Sequence, residues 1–544
     1  MEKSTFVRIE FLRVQTFLFQ SPKMRDMIGF NTLLGETIRN TLPDLATYKG
    51  PMPITCKELK ITPPTADSND PLHHAKEKYQ DDPAALYEKG ILTRDGGHFR
   101  VVFENENKAE EFAKEASKRL NEKLPGLRYN ILTGTLEDEE RGTTFQESNP
   151  SDVMYIPQFM PCTFLGNEPA IEFKRKNSEY KYFCKKVEIA RDAGERFRNG
   201  EAKDIIGLLK DSMSTGNEKE PNDFEDMCGK DDLAVIVADG NDMGGRFHSW
   251  MNKVANDLDS ISREAHGEIF WHTMRVATRK ALVSAIKKTF YNEVNKPKPY
   301  QVLMLGGDDL LMVCAARYAF RFVTEYARAL ESEELYGNLG NTDNEIKPLT
   351  IGAGITITSP KLPFHRLHSL AEELADSAKE LYRNSTDKIS TVDWIVCSSS
   401  WSDDPITVRK RDMLKRYEVN GSEETLFLTG KPYPVLKTDG ETNPTSLEGL
   451  LEAGKVLLKE DGDEKGKKAA RTQIRSMADM TFKGRRTADL YFQRLPHSTS
   501  KDLKEAGVKS TWEEIEGGNW LTRLNDLAEI YEIMRKTSTK VEEN

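Results

Sequence analysis

The sequence predicts an α+β chain in which a ferredoxin-like unit occurs twice, with a helical connector between the copies and a helical domain after them. Three observations carry that prediction. The first is Gly306-Gly307-Asp308-Asp309, set between the apolar runs 302–305 and 310–314. Glycine tolerates positive φ and aspartate bonds its own backbone in turns, so two short apolar runs around these residues read as a tight β-hairpin. The second is the order of elements around it. A buried-looking strand at 233–238 precedes a helical pattern over 261–294, and the hairpin is followed by an amphipathic stretch at 315–330 and a strand at 349–357. Strand, helices, strand, hairpin, strand is the ferredoxin-like order, and it predicts a four-stranded antiparallel unit with helices on one face. The third is an echo of this order in the first 140 residues.

In that echo, residues 5–14 read as a strand and helical segments follow Pro22. Gly96-Gly97-His98-Phe99 then leads into an apolar run, without the two aspartates. A helix over 108–120 and a strand over 128–132 complete the copy. The N-terminal unit is therefore expected to be structural and to supply one wall of a shared pocket.

The second copy carries the chemistry. Asp239-Gly240-Asn241-Asp242-Met243-Gly244 ends the strand at 233–238, so two strand ends offer carboxylates to one place. Phosphoryl and nucleotidyl transfer need such a cluster, because two hard divalent cations roughly 3.5–4 Å apart must be held by oxygen ligands. Asp239, Asp308 and Asp309 are the candidate ligands. A further helix over 368–383 carries Ala378-Lys379, and a lysine there reaches a polyphosphate as a point charge. Each motif also has a structural reading, since Gly and Asp pairs are common in hairpins and a helical lysine usually faces water.

The combination of a GGDD hairpin, an upstream Asp-Gly-x-x-Met-Gly turn and a downstream Ala-Lys helix resembles the large palm-domain subunit of type III CRISPR effector complexes, Cmr type. Val7-Arg8-Ile9-Glu10, Val14-Gln15-Thr16-Phe17 and Leu428-Thr429-Gly430-Lys431-Pro432-Tyr433 extend the resemblance over most of the chain. It implies a nucleotidyltransferase that joins adenylates from ATP into a cyclic oligoadenylate messenger when the assembled complex binds target RNA. Some relatives instead join AMP to S-adenosylmethionine. It makes Asp239, Asp308 and Asp309 ligands of Mg²⁺ or Mn²⁺ and puts Gly240, Asn241, Gly306, Gly307 and Lys379 against the nucleotide. The family commonly has aspartate where this chain has Asn241, which keeps an oxygen and loses a charge; that departure bears on the product more than on the reaction class. The other subunits of the complex, guide RNA and target RNA are the implied partners.

Many relatives open with a metal-dependent HD nuclease. This chain has no His-Asp dipeptide, so no nuclease activity is expected. Relatives also hold zinc with two Cys-x-x-Cys pairs, whereas Cys162 and Cys184 are each missing a companion here. Two thiolates are too few for a closed tetrahedral site, and zinc is not expected. Six cysteines with no Cys-x-x-Cys and no secretory signal point to a reducing compartment, the cytoplasm.

Composition narrows what remains. A mean hydropathy of −0.61 and the absence of an 18-residue apolar run exclude a helical membrane span. The net charge of −10 argues against a uniformly basic nucleic-acid binder. Local basic stretches at Lys467-Lys468 with Arg471, and at Lys483 with Arg485-Arg486, are candidates for RNA contact or solvated helix faces. Shifts in composition divide the chain into residues 1–145, a connector at 146–225, the catalytic unit at 226–405 and the C-terminal domain at 406–544. Two other classes stay open. A scaffold with an inactive palm would need no nucleotide, and a diguanylate-cyclase-like enzyme, which also uses a GGD hairpin, would use GTP.

Overall fold

The computed structural model describes residues 4–62, 67–95, 97–135, 145–147, 159–176, 179–214, 219–254, 258–290, 296–332, 335, 348–397, 404–419, 422–438, 444–458 and 471–538. Gly96, Lys467 and Lys468 lie outside them, as does the charge run at 459–468.

The N-terminal palm begins with β1 (Thr5–Leu12), whose alternate residues Val7, Ile9 and Phe11 enter the core. Helix α1 (Met24–Glu36) follows, then β2 (Ile91–Thr93) and β3 (His98–Phe103), helix α2 (Glu106–Lys123), β4 (Arg128–Thr135) and β5 (Phe145–Glu147). The Asn105 side chain caps α2 by accepting the Lys108 N–H at 3.1 Å. Ala109, Phe112, Ala116 and Leu120, spaced by three and four, turn one stripe of α2 onto the sheet. The strand order is β2-β3-β1-β4-β5, the ferredoxin-like order with one added edge strand.

In the connector, β6 (Glu172–Lys176) and β7 (Glu179–Phe183) form a separate two-stranded ribbon. Helix α3 (Lys185–Arg198) then packs on α1 at very short range. A Cβ on Gly29 would lie 1.7 Å from the Ala190 carbonyl oxygen, and one on Gly194 would lie 2.6 Å from that of Arg25. Only residues without side chains allow this crossing.

The second palm comprises β8 (Leu233–Gly240), α4 (Met243–Val254), α5 (Ser260–Thr289), β9 (Tyr300–Leu305), β10 (Leu310–Ala315), α6 (Ala316–Leu330), β11 (Ile351–Thr358), α7 (Phe364–Asn384) and β12 (Thr391–Val396). Strands β11-β8-β10-β9 repeat the ferredoxin-like order. The sheet is larger than the four strands expected, because β12 joins β11 in parallel register, Gly352 opposite Thr391. A parallel neighbour needs a crossover helix, and α7 supplies it.

After β13 (Leu414–Val419) and β14 (Ser422–Phe427), the short β15 (Tyr433–Pro434) adds a sixth strand to the palm sheet beside β12. With β16 (Glu513–Ile515) and β17 (Asn519–Leu521), β13 and β14 build a small sheet within the helical C-terminal region. The last helix, α8 (Leu524–Ser538), is tied to the palm through fully buried Asp526. That carboxylate accepts from the Thr429 hydroxyl at 2.7 Å, the Gly430 N–H at 2.8 Å and the Tyr433 hydroxyl at 2.6 Å. The Leu428–Tyr433 motif therefore docks this region onto the sheet. Arg485 stacks on Trp520 and pairs with Glu424, which makes it part of the same packing.

Helix α5 holds the two palms together. Arg275 pairs with Asp81 at 3.1 Å and with Glu268, and approaches Asp95 at 3.8 Å, while Arg279 pairs with Asp81 at 2.8 Å and Asp70 at 2.6 Å. Asp70, Asp81 and Asp95 all belong to the N-terminal palm. Among the described residues, no helix is long and apolar enough to cross a membrane.

Candidate active site

Asp239 stands at the C-terminal end of β8, opposite Gly352 of β11. On the other side β8 pairs with β10, Ala238 opposite Leu310, so the turn 306–309 arrives beside Asp239. The turn closes through the Gly306 N–H donating to the Asp309 carbonyl at 2.8 Å. Neither Gly306 nor Gly307 takes a positive φ, contrary to the expected turn chemistry. A Cβ at either position would meet its neighbours at ordinary contact distance. Trp271 of α5 lies 3.6 Å from where a Cβ on Gly307 would stand, and the Thr278 hydroxyl donates to the Gly307 carbonyl at 3.2 Å.

Gly240 acts through space. A Cβ there would come within 2.9 Å of Asp308 Cβ and 3.0 Å of its Oδ2, so a larger residue would push the carboxylate aside. The three aspartates offer oxygens that all lie within 4.8 Å of one another, and no other such group of three or more His, Cys, Asp or Glu occurs among the described residues. Lys379 on α7 forms an ion pair with Asp239. Helix α7 runs against β11 because Gly352 and Gly354 leave room: a Cβ on Gly352 would meet Lys379 Cγ at 2.5 Å, and one on Gly354 the Ala371 carbonyl at 1.9 Å.

The electrostatics of this cluster are unbalanced. Burial pushes the Asp308 carboxyl up to about 6, with the Asp239 charge adding to it and Lys379 opposing. Asp309 is pushed up to about 8, by loss of water and by the charges of Asp239 and Asp308. Its side chain keeps contact with solvent, so carboxylate repulsion is the cause that fixes the direction. Three carboxylates face one lysine, and this shortage of positive charge fits the oxygen donor set that divalent cations take.

Asn241 lines the same pocket as Asp239 and Asp308. Its buried side chain donates to the Thr350 hydroxyl at 3.2 Å, and its N–H donates to the Thr350 carbonyl at 2.8 Å. It fixes the entry to β11. Cys162 and Cys184 lie in a small apolar cluster with Phe183 and Val187, away from the aspartates.

Two cavities meet at the aspartates. A cleft of about 900 Å³ opens between the palms, lined by Phe11, His98 and Arg100 of the first and by Trp271, Asp308 and Asp309 of the second. Behind it, a pocket of about 520 Å³ is lined by Asp239, Asp308, Lys379, Arg383 and Lys388. Arg383 was open to sequence reasoning, since it follows Lys379 by four residues on one helix and so shares its face. Trp271 and Lys388 had no such signal, because only the tertiary fold brings them to the site.

Residues 232–387 match the family model of the Cas10/Cmr2 second palm domain. This segment is a second palm domain of the Cas10/Cmr2 family. No curated protein matches its sequence significantly. Among solved structures, the Csm1–Csm4 cassette in complex with AMPPNP is similar over 98% of this chain and 70% of that one, at 12% identity and a TM-score of 0.46. The same cassette with cA3 covers 98% and 69%, at 11% identity and a TM-score of 0.48. The matched Cas10/Cmr2 segment contains the whole aspartate cluster and Lys379.

Proposed function

We propose that the chain is the signalling nucleotidyltransferase of a Cmr-type CRISPR complex, joining adenylates from ATP into a cyclic oligoadenylate when guide RNA pairs with target RNA. The observation that carries this reading is the convergence of Asp239, Asp308 and Asp309 beside Lys379, at the meeting point of a cleft and a cation-lined pocket. In the reaction, the 3′ hydroxyl of one nucleotide attacks the α-phosphorus of another, and pyrophosphate leaves. Mg²⁺ or Mn²⁺ held by the three aspartates would neutralise charge on the attacking and leaving oxygens. Lys379, Arg383 and Lys388 line the wall where a triphosphate finds positive charge. Trp271, beneath the Gly307 backbone, offers an apolar surface in the cleft where a base can rest. The N-terminal palm supplies the opposite wall and excludes water from the reacting ends.

Incubating the assembled complex and target RNA with labelled ATP and Mg²⁺ or Mn²⁺ tests the proposal, against an Asp308→Ala/Asp309→Ala control. Oligoadenylates that vanish in the control are expected. A product that forms only with S-adenosylmethionine would replace the cyclase reading by conjugation of AMP to that cofactor at the same aspartates. A product from GTP alone would favour the diguanylate-cyclase-like reading, and no product under any of these conditions would leave a scaffold.

A further inference from the structure

The ribbon β6–β7 stands out from the rest of the surface. Among the described residues its strands pair with each other and join no larger sheet. The register sets Phe173 opposite Tyr182 and Arg175 opposite Tyr180. Because side chains alternate along a strand, these four residues share one face. On it the Phe173 ring centroid lies 5.8 Å from that of Tyr180 and 6.3 Å from that of Tyr182, and the Arg175 guanidinium lies 5.8 Å from the Tyr180 ring. This face is open: Phe173 is 62% exposed and Tyr180 53%. The other face anchors the ribbon, through Phe183 buried with Cys162, Cys184 and Val187. The Thr163 N–H donates to the Tyr182 carbonyl at 2.9 Å, and the Tyr182 N–H donates to the Thr163 hydroxyl at 2.8 Å. The aromatic platform is therefore held by a fixed base.

Charge identifies what fits it. Between positions 171 and 186 the chain has six lysines and arginines against two glutamates on a protein of net charge −10; Arg175 is the cation that shares the ring face, and Lys185 and Lys186 pair with Glu188 and Glu168. Apolar protein interfaces are depleted of lysine at their core, whereas rings interleaved with cations are how proteins hold single-stranded nucleic acid. Bases stack on the rings without regard to sequence, and phosphates follow the cations. We propose that the Phe173–Arg175–Tyr180–Tyr182 face binds a single strand of RNA. This surface is separate from the nucleotide site, and the proposal stands whether or not the palm is active.

The test is the anisotropy of fluorescein-labelled oligouridine, and of a duplex RNA control, titrated with the full chain and with the assembled complex. Phe173→Ala/Tyr180→Ala is expected to weaken single-strand binding by about 10-fold or more, with an unchanged melting temperature because both side chains face water. The salt dependence should survive in that variant and become shallower in Arg175→Ala. Phe173→Tyr/Tyr180→Phe should bind as the native chain does, since it keeps both rings. Equal affinity of native and ring-deleted proteins, or no binding by the native chain and complex, would overturn the proposal. So would a ring-deleted variant that binds RNA normally but no longer assembles with its partner subunits, which would mark the ribbon as a protein-docking face.

Discussion

The two palms put an aspartate at the same kind of place and treat it in opposite ways. In the N-terminal palm, Asp95 lies in the turn between β2 and β3, where both of its oxygens accept from the buried Arg39 guanidinium at 2.8 Å and Arg275 stands 3.8 Å away. In the second palm, Asp308 and Asp309 lie in the turn between β9 and β10 and face Asp239, which pairs with Lys379, while Arg383 and Lys388 stand on the wall of the same pocket. One fold thus gives a satisfied charge and an unsatisfied one. The satisfied aspartate cements the palms, and the unsatisfied ones are left in need of cations. What separates structure from chemistry is whether an arginine pairs directly with the carboxylate.

Removing the unsatisfied charges should have the largest effect. Asp308→Ala or Asp309→Ala is expected to lower nucleotide turnover in the assembled complex by on the order of 1,000-fold, read as labelled product per unit time, while the chain stays folded. The satisfied charges should instead carry stability. Arg275→Ala leaves the buried Glu268 without its partner and takes one of two arginines from Asp81, and denaturant unfolding should show a loss of about 3–5 kcal/mol. A palm that unfolds no more easily in this variant would break the contrast.

Smaller changes sharpen the comparison. Gly240→Ala displaces the Asp308 carboxylate by its added Cβ, and a misplacement of this kind is expected to cost roughly 10- to 100-fold in turnover with little change in melting temperature. Asp309→Asn should raise the melting temperature of the metal-free protein. The Asp309 carboxyl is held up to about 8 in the folded chain, above the ordinary carboxylate value of 3.8, so its charged form costs stability. That cost is complete above pH 8 and fades as the pH falls toward 4. The gain in melting temperature should therefore be largest near pH 9 and disappear near pH 4, and a gain independent of pH would remove repulsion as its cause.

Much of this site was legible in the sequence because its signals are local. The apolar runs around Gly306–Asp309 mark the hairpin, the end of β8 marks Asp239, and helical periodicity marks Lys379. The same locality explains what was not legible. Arg275 and Asp81 are separated by 194 residues, and nothing near either one announces the pairing. Strand β15 is two residues long and contains a proline, and β13 and β14 are strongly charged, so nothing there marked a sheet within the domain expected to be helical. Asn241 was legible as a lost charge, but its direction toward Thr350 depends on where β11 enters the sheet.

Helix α5 has 30 residues and so a length of about 45 Å. Along one side it is clamped to the N-terminal palm by Arg275 and Arg279, and through Thr278, between them in sequence, it grips the Gly307 carbonyl. It therefore behaves as a strut whose clamp and load share a single turn. A rigid displacement of one palm against the other cannot leave the 306–309 turn in place without breaking buried ion pairs, so the alignment of the aspartates and the spacing of the palms are one mechanical quantity.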